Sequence, residues 1–153
     1  MSSQNLDRIS RELVEMMPLV FREIAKREDN ELTRGKISFP QMVALDLVSR
    51  KPQVTMTYLA GVLSIKTSSA TVLVDRLIRQ RMLIRKRDEK DRRLVWVMIT
   101  ARGKKVVRQI MEQKRKSMRS MLAVLTDKER EQYLAAVKKI QANLLKDSMA
   151  AKE

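Results

Sequence analysis

Two clusters of side chains in this chain are equipped for chemistry, and the chemistry is that of holding an anion rather than breaking a bond. The first is the run Arg87-Asp88-Glu89-Lys90-Asp91-Arg92-Arg93, in which four cations stand against three carboxylates between two stretches of β-formers. A cationic finger of this kind can lie along a phosphate backbone or enter a minor groove. Taken alone, it reads equally well as a solvated hairpin tip. The second cluster is the stretch from Lys66 to Arg79. Its outward positions are small or charged: Lys66, Thr67, Ser68, Ser69, Thr71, Val72, Asp75, Arg76 and Arg79. Hydroxyls near a helix N-terminus suit polar contacts to base edges, and cations suit phosphates, although such hydroxyls are often only caps.

The composition narrows the classes. In 153 residues there are 33 Lys and Arg against 18 Asp and Glu, a formal net charge of +15. A domain this basic usually meets a polyanion. His and Cys are both absent, which excludes a thiol switch, a disulfide and a nitrogen-rich metal site. There is no Gly-rich phosphate loop, and the carboxylates are scattered over helix faces, so no catalytic constellation forms and an enzyme is not expected. No apolar run approaches the ~20 residues of a membrane span, and the first residues, Met1 to Asp7, lack the regions of a signal peptide. No cofactor is expected, and the expectation of a cytoplasmic, nucleoid-associated prokaryotic protein comes with the family resemblance given below.

The elements that must position these clusters follow from periodicity. Leu6, Ile9, Leu13, Met16, Met17, Val20, Phe21 and Ile24 recur at helical spacing and predict a helix to Glu28, with a kink at Pro18. A polar loop with Gly35 follows. Ser38 then caps a helix with Pro40 in its first turn and Met42, Leu45 and Val48 inside. Val54 reads as a short β-contact, and Thr55 caps a helix to Leu63 that buries Leu59, Ala60 and Leu63. From Lys66 to Arg81 the buried stripe is Ala70, Leu73, Val74, Leu77 and Ile78. Met82 to Arg87 and Leu94 to Ile99 predict a two-stranded ribbon with Trp96 out of phase with its inward residues. Thr100 opens a helix to about Leu125 whose outer face is strongly basic. Thr126 and Glu129 form a capping box for a last helix with a stripe at Leu134, Val137, Ile140 and Leu144, and the tail from Ser148 to Glu153 is expected to fray. The fold class is therefore mainly α with a small β-ribbon: a winged helix-turn-helix flanked by long terminal helices.

Over Leu59 to Gly103 the sequence resembles the MarR family of transcription regulators. The matching residues are Leu59-Ala60, Asp75-Arg76-Leu77, Leu83 and Arg85, then Asp91-Arg92-Arg93, Val95, Val97, Ile99-Thr100 and Gly103. Three positions depart from the family pattern: Ser64 and Arg81 stand where Gly is usual, and Val72 where Arg is common. The first two sites can require a left-handed backbone, which costs a non-Gly residue roughly 1 kcal/mol or more.

The resemblance implies a single domain over residues 1–153, with the winged helix-turn-helix at about 38–99 and dimerisation helices at about 5–28 and 100–147. It implies a homodimer joined through Leu6, Ile9, Leu13, Leu134, Val137, Ile140 and Leu144. It implies a double-stranded, near-palindromic DNA operator. Lys66, Thr67, Ser68, Ser69, Thr71, Val72 and Arg76 would contact that operator from the helix, and Arg87, Lys90, Asp91, Arg92 and Arg93 from the wing. Asp91 would brace one wing arginine while Arg92 or Arg93 enters the minor groove. The resemblance also implies a repressor modulated by a small anionic or aromatic effector. Its expected pocket is lined by Met16, Met17 and Val20 near Pro18, with Met42 and Leu45 opposite; the same residues also read as plain core. The rival reading is an architectural or weakly specific DNA binder without an effector.

Overall fold

The computed structural model describes residues 3–91 and 93–150. The elements run α1 (Ser3–Ala25), α2 (Phe39–Ser49), β1 (Val54–Thr55), α3 (Met56–Leu63), α4 (Thr67–Arg79), β2 (Leu83–Arg87), β3 (Val95–Ile99), α5 (Ala101–Leu122) and α6 (Asp127–Ala150). The chain divides into two compact units, Met1–Arg115 and Lys116–Glu153. No single described helix is long and apolar enough to cross a membrane.

The expected caps form. Ser38 accepts the Gln41 N–H while the Gln41 side chain accepts the Ser38 N–H at 2.7 Å, a reciprocal capping box at the start of α2. Thr55 accepts the Tyr58 N–H to open α3. Thr126 and Glu129 form the box that opens α6. Three boundaries differ from expectation. α1 ends at Ala25, because Lys26 onward turns into the loop; α5 ends at Leu122; and α6 continues to Ala150, so residues 148–150 are helical. The ribbon is a three-stranded antiparallel sheet in the order β1-β3-β2, because Val54 and Thr55 pair with Val97 and Trp96 and leave β3 central. β2 pairs with β3 from Leu83↔Ile99 to Arg87↔Val95.

The core of the first unit lies between α2, α3, α4, the sheet and the start of α5. Leu45, Val48, Leu59, Val74, Leu77, Leu83, Val97 and Ile110 are fully buried in it. Leu63, Leu73 and Ile78, expected inside, are only partly buried against its edge. Truncating a side chain such as Leu45 to Ala should cost about 2–5 kcal/mol. The loop before α2 is tied to α5 by a polar knot that the sequence did not announce. The Gln113 amide accepts from the Asp29 N–H (3.0 Å) and the Asn30 side chain (2.7 Å) and donates to the Asp29 carbonyl (2.8 Å). Glu28 is buried beside it, with Lys114 Nζ at 3.9 Å.

Both departures at glycine positions take up left-handed backbone, Ser64 at φ 53° and Arg81 at φ 59°. At the end of α4 the Arg81 N–H donates to the Ile78 carbonyl and the Met82 N–H to that of Leu77. These are the two bonds of a Schellman stop, and the buried Leu77 and Met82 side chains complete it. At the end of α3 the same pair runs from Ser64 to Gly61 and from Ile65 to Ala60. The Met82 carbonyl then accepts the N–H of Thr100 at 3.0 Å, the Thr100 hydroxyl donates to the Arg81 carbonyl at 2.8 Å with the Met82 carbonyl at 3.1 Å, and Thr100 caps α5 by accepting the Gly103 N–H at 3.0 Å. A Cβ at Gly103 would lie 2.3 Å from the Met82 carbonyl oxygen.

Two glycines inside helices should therefore respond oppositely to alanine. At Gly61 a Cβ meets nothing within 4 Å, so Gly61→Ala should stabilise by about 0.5–1 kcal/mol through helix propensity. At Gly103 the same gain is outweighed by a backbone clash, and Gly103→Ala should destabilise by about 1–3 kcal/mol. Arg81→Gly relieves the left-handed cost and should stabilise by up to about 1 kcal/mol. Denaturant melts of the three variants check these signs; equal shifts at Gly61 and Gly103 would refute the packing argument.

Candidate nucleic-acid interface

The left-handed turn at Ser64 bends the chain by 108° between α3 and α4, within the range of a helix-turn-helix. α4 begins at Lys66 in extended backbone with no described side chain capping its first turn, and there is no acidic residue there. Its N–H groups and the exposed Thr67, Ser68 and Ser69 face solvent together. Val72, Arg76 and Arg79 are exposed further along, with Val72 at 53%. Thr71 is half-buried and its hydroxyl donates back to the Thr67 carbonyl at 2.9 Å, so only its acceptor lone pairs remain.

The wing is bound to this helix by an ion pair. Arg85, on β2, reaches Asp75 at 2.6 Å and also donates to the Thr71 carbonyl at 3.5 Å. Both side chains are partly exposed, so the pair is worth less than about 1 kcal/mol of stability. Its effect is geometric, since it sets the root of the wing beside the outward face of α4. Sequence reasoning placed Asp75 facing out and did not pair it.

At the wing tip the charges are sorted. Asp88 Oδ1 accepts the N–H groups of Lys90 and Asp91, both at 2.9 Å, and Oδ2 accepts the indole N–H of Trp96 at 2.9 Å. Asp91 does not brace an arginine side chain in the described residues: its Oδ1 accepts the backbone N–H of Arg93 at 3.0 Å, closing the turn. Glu89 pairs with Lys86 at 3.1 Å. Each carboxylate thus has a local partner, whereas among the described residues the exposed Arg87, Lys90 and Arg93 have no ion pair. Arg92 lies outside the described residues. Trp96 had no assigned role in the sequence. The signal that could have found one is that an indole N–H under a polar hairpin needs an acceptor, and Asp88 is the same-face diagonal neighbour once Lys86 pairs with Trp96.

The residues expected to line an effector pocket fall into two settings. Met42 and Leu45 are buried in the filled core, at 3% and 0% exposure, while Met16, Met17 and Val20 are exposed on α1. A ligand touching both sets would have to open the core. The residues expected to dimerise, Leu6, Ile9 and Leu13 on α1 and Leu134, Val137, Ile140 and Leu144 on α6, are all exposed in the single chain.

Comparison with known proteins bears on this surface. The sequence model of the MarR family matches residues 36–94. YpoP of Bacillus subtilis, an uncharacterized HTH-type transcriptional regulator, is 30% identical over 95 residues, which cover 62% of this chain and 67% of that protein. The crystal structure of YusO from Bacillus subtilis superposes with a TM-score of 0.76 at 20% identity, over 93% of this chain and 99% of that one. Streptococcus pneumoniae FabT in complex with DNA superposes with a TM-score of 0.71 at 21% identity, over 92% of this chain and 95% of that one. At these identities the two structures establish a common fold.

The tip carries a pH prediction. The Trp96 indole N–H, then the N–H groups of Asp91 and Lys90, hold the Asp88 carboxyl below the usual carboxylate range against slight desolvation. A group with a depressed folded pKa contributes above its ordinary value and loses that contribution as the pH falls through the folded value. Emission from the chain's one tryptophan should stay constant through the neutral range and shift only below the ordinary value of 3.8. The Asp88→Asn variant should lack that transition. A transition in wild type centred above 3.8 would contradict the assignment.

Proposed function

Because this chain belongs to the MarR family of DNA-binding transcription regulators, we propose that it is a sequence-specific binder of double-stranded DNA that acts as a homodimer on a near-palindromic operator. One observation carries this reading. The Arg85–Asp75 pair joins the wing to the outer face of α4, so an uncapped helix N-terminus and a tip whose described cations Arg87, Lys90 and Arg93 have no ion pair belong to one surface. In this reading α4 enters a major groove and the wing reaches the adjacent minor groove.

The roles divide by chemistry. Lys66, Arg76 and the free N–H groups of Thr67, Ser68 and Ser69 hold phosphates, which position the protein without reading sequence. Ser68 keeps a donor and an acceptor for base edges. Thr71, with its proton committed to Thr67, only accepts, and so selects the amino group of cytosine or adenine. Val72 packs on a thymine methyl. Arg87, Lys90, Arg92 and Arg93 serve the wing, and Asp91 acts by fixing the Arg93 backbone.

The homodimer is supported by the uncovered apolar faces. No residue of α1 is buried, and Leu6 and Ile140 are 68% and 59% exposed. Apolar stripes of this length on separate helices are covered by a partner in a stable protein. Within the same proposal the chain is a repressor whose effector, a small anionic or aromatic molecule, docks at Met16, Met17 and Val20 of α1, because these are exposed and adaptable where Met42 and Leu45 are closed in. Such a ligand would act by favouring one spacing of the two recognition helices.

Selection of bound duplexes from a random pool should yield a near-palindrome with half-sites about 34 Å apart. An enriched pool without two-fold symmetry would overturn the operator reading and favour an architectural binder. Arg93→Ala should weaken binding by more than roughly tenfold, about 1.4 kcal/mol, and reduce the salt slope by about one, while the thermal midpoint stays unchanged. Light scattering at micromolar concentration should report a dimer, and a monomer mass would end the dimer reading. Calorimetry with salicylate-like carboxylates on wild type and Met17→Ala tests the effector; no binding at millimolar concentration removes it.

A further inference from the structure

The Asp88–Trp96 contact does more than decorate the hairpin. Seven residues, 88–94, make up the tip between β2 and β3, and among the described residues its backbone closes through two bonds, from the Asp88 N–H to the Leu94 carbonyl and from the Leu94 N–H to the Asp91 carbonyl. A loop so lightly tied would present its cations as a spread of orientations, and each ordered contact to DNA would then carry the entropy of fixing the loop. Trp96 sits in the most anchored place available. It lies on the central strand β3, facing Lys86 of β2 on one side and Thr55 of β1 on the other. Its indole N–H reaches across the hairpin to Asp88 Oδ2, while Asp88 Oδ1 gathers the N–H groups of Lys90 and Asp91. The indole lies beside a shallow groove whose other walls are Gln53, Lys86, Arg87, Asp88, Glu89 and Lys90.

An acid at this place requires explanation. A carboxylate on a surface meant for phosphate opposes binding. Here three N–H donors surround its oxygens, so its charge is spent on the turn while Arg87, Lys90 and Arg93 remain unpaired among the described residues. We propose that Asp88 and Trp96 form a latch that positions the wing tip for DNA, making both of them positioning residues that touch no base and no phosphate. The inference rests on the reading of the wing as a DNA contact, and it predicts that affinity depends on a bond made entirely within the protein.

The chemistry of asparagine isolates this bond. In Asp88→Asn the remaining amide oxygen can still accept from Lys90 and Asp91, but the NH2 group then faces the Trp96 N–H, donor against donor. Trp96→Phe removes the same bond from the other end and keeps an aromatic ring on β3. Binding of a random-sequence duplex at low salt is measured for wild type, each single variant, the double variant and Arg93→Ala, together with thermal midpoints and, in the variants that keep Trp96, its emission. Each single variant should bind several-fold more weakly, and the double variant no more weakly than either, because one bond is lost in all three. Thermal midpoints should stay within about 2 °C, since the bond lies at an exposed tip. Trp96 emission in Asp88→Asn should change in the free protein. If Arg93→Ala loses affinity and Asp88→Asn and Trp96→Phe do not, the wing touches DNA and the latch does not position it. Additive losses in the double variant would equally overturn the latch, by showing two independent roles. If Arg93→Ala binds as wild type, the wing reading itself fails and this inference falls with it; the emission change then still reports whether the bond exists. Should Trp96→Phe fail to fold, Asp88→Asn decides alone, because it leaves the sheet intact.

Discussion

The carbonyl of Met82 is the point on which the winged part of this molecule depends. It follows α4, starts the wing and receives the start of α5, accepting the N–H of Thr100 and sharing the Thr100 hydroxyl proton with the nearer Arg81 carbonyl. To reach that place the backbone must pass through a left-handed residue at Arg81, and the Schellman bonds to Leu77 and Ile78 hold it there. The close approach leaves no room for a side chain at Gly103. A kilocalorie or so of backbone strain at Arg81 is thus offset by three elements being locked at one node. The direction in which the wing leaves α4 follows from this node, and the Arg85–Asp75 pair then trims it.

Electrostatics on this surface works by assignment rather than by amount. A net charge of +15 would attract any polyanion. What distinguishes the wing is that its acids are turned inward, to backbone N–H groups, to an indole or to a neighbouring lysine, and its described cations are left outward. Long-range attraction and local order therefore come from different residues. The same division holds on α4, where Asp75 is held by Arg85 and the N-terminal hydroxyls stay open. By contrast, the basic outer face of α5, with Lys104, Lys105, Arg108 and Arg115 exposed and without ion pairs among the described residues, has no such order imposed on it.

The apolar surface is divided in a comparable way. α2 buries Met42, Ala44, Leu45 and Val48 in the core, while α1 is strongly amphipathic and buries nothing within the chain. A filled core around Leu45 and an uncovered face around Leu13 mean that the winged helix packs without the apolar stripe of α1.

Much of this was readable from residue order, because it rests on local physics. Helical stripes, the caps at Ser38, Thr55 and Thr126, and the ribbon flanking Arg87 to Arg93 depend on neighbours within a few positions. The left-handed turns at Ser64 and Arg81 were visible as places where a glycine was missing. What the tertiary structure alone decided are partnerships between distant groups. Asp75 finds Arg85 ten residues on, Gln113 finds Asp29 across 84, and Asp91 accepts the backbone N–H of Arg93. Trp96 finds Asp88 because strand register, not sequence distance, makes them diagonal neighbours. Met42 and Met17 carry the same side chain at the same helical spacing, yet one is core and the other is exposed. Periodicity tells that a face is apolar; only packing tells what covers it, because burial is a property of two surfaces and the chain in order shows just one.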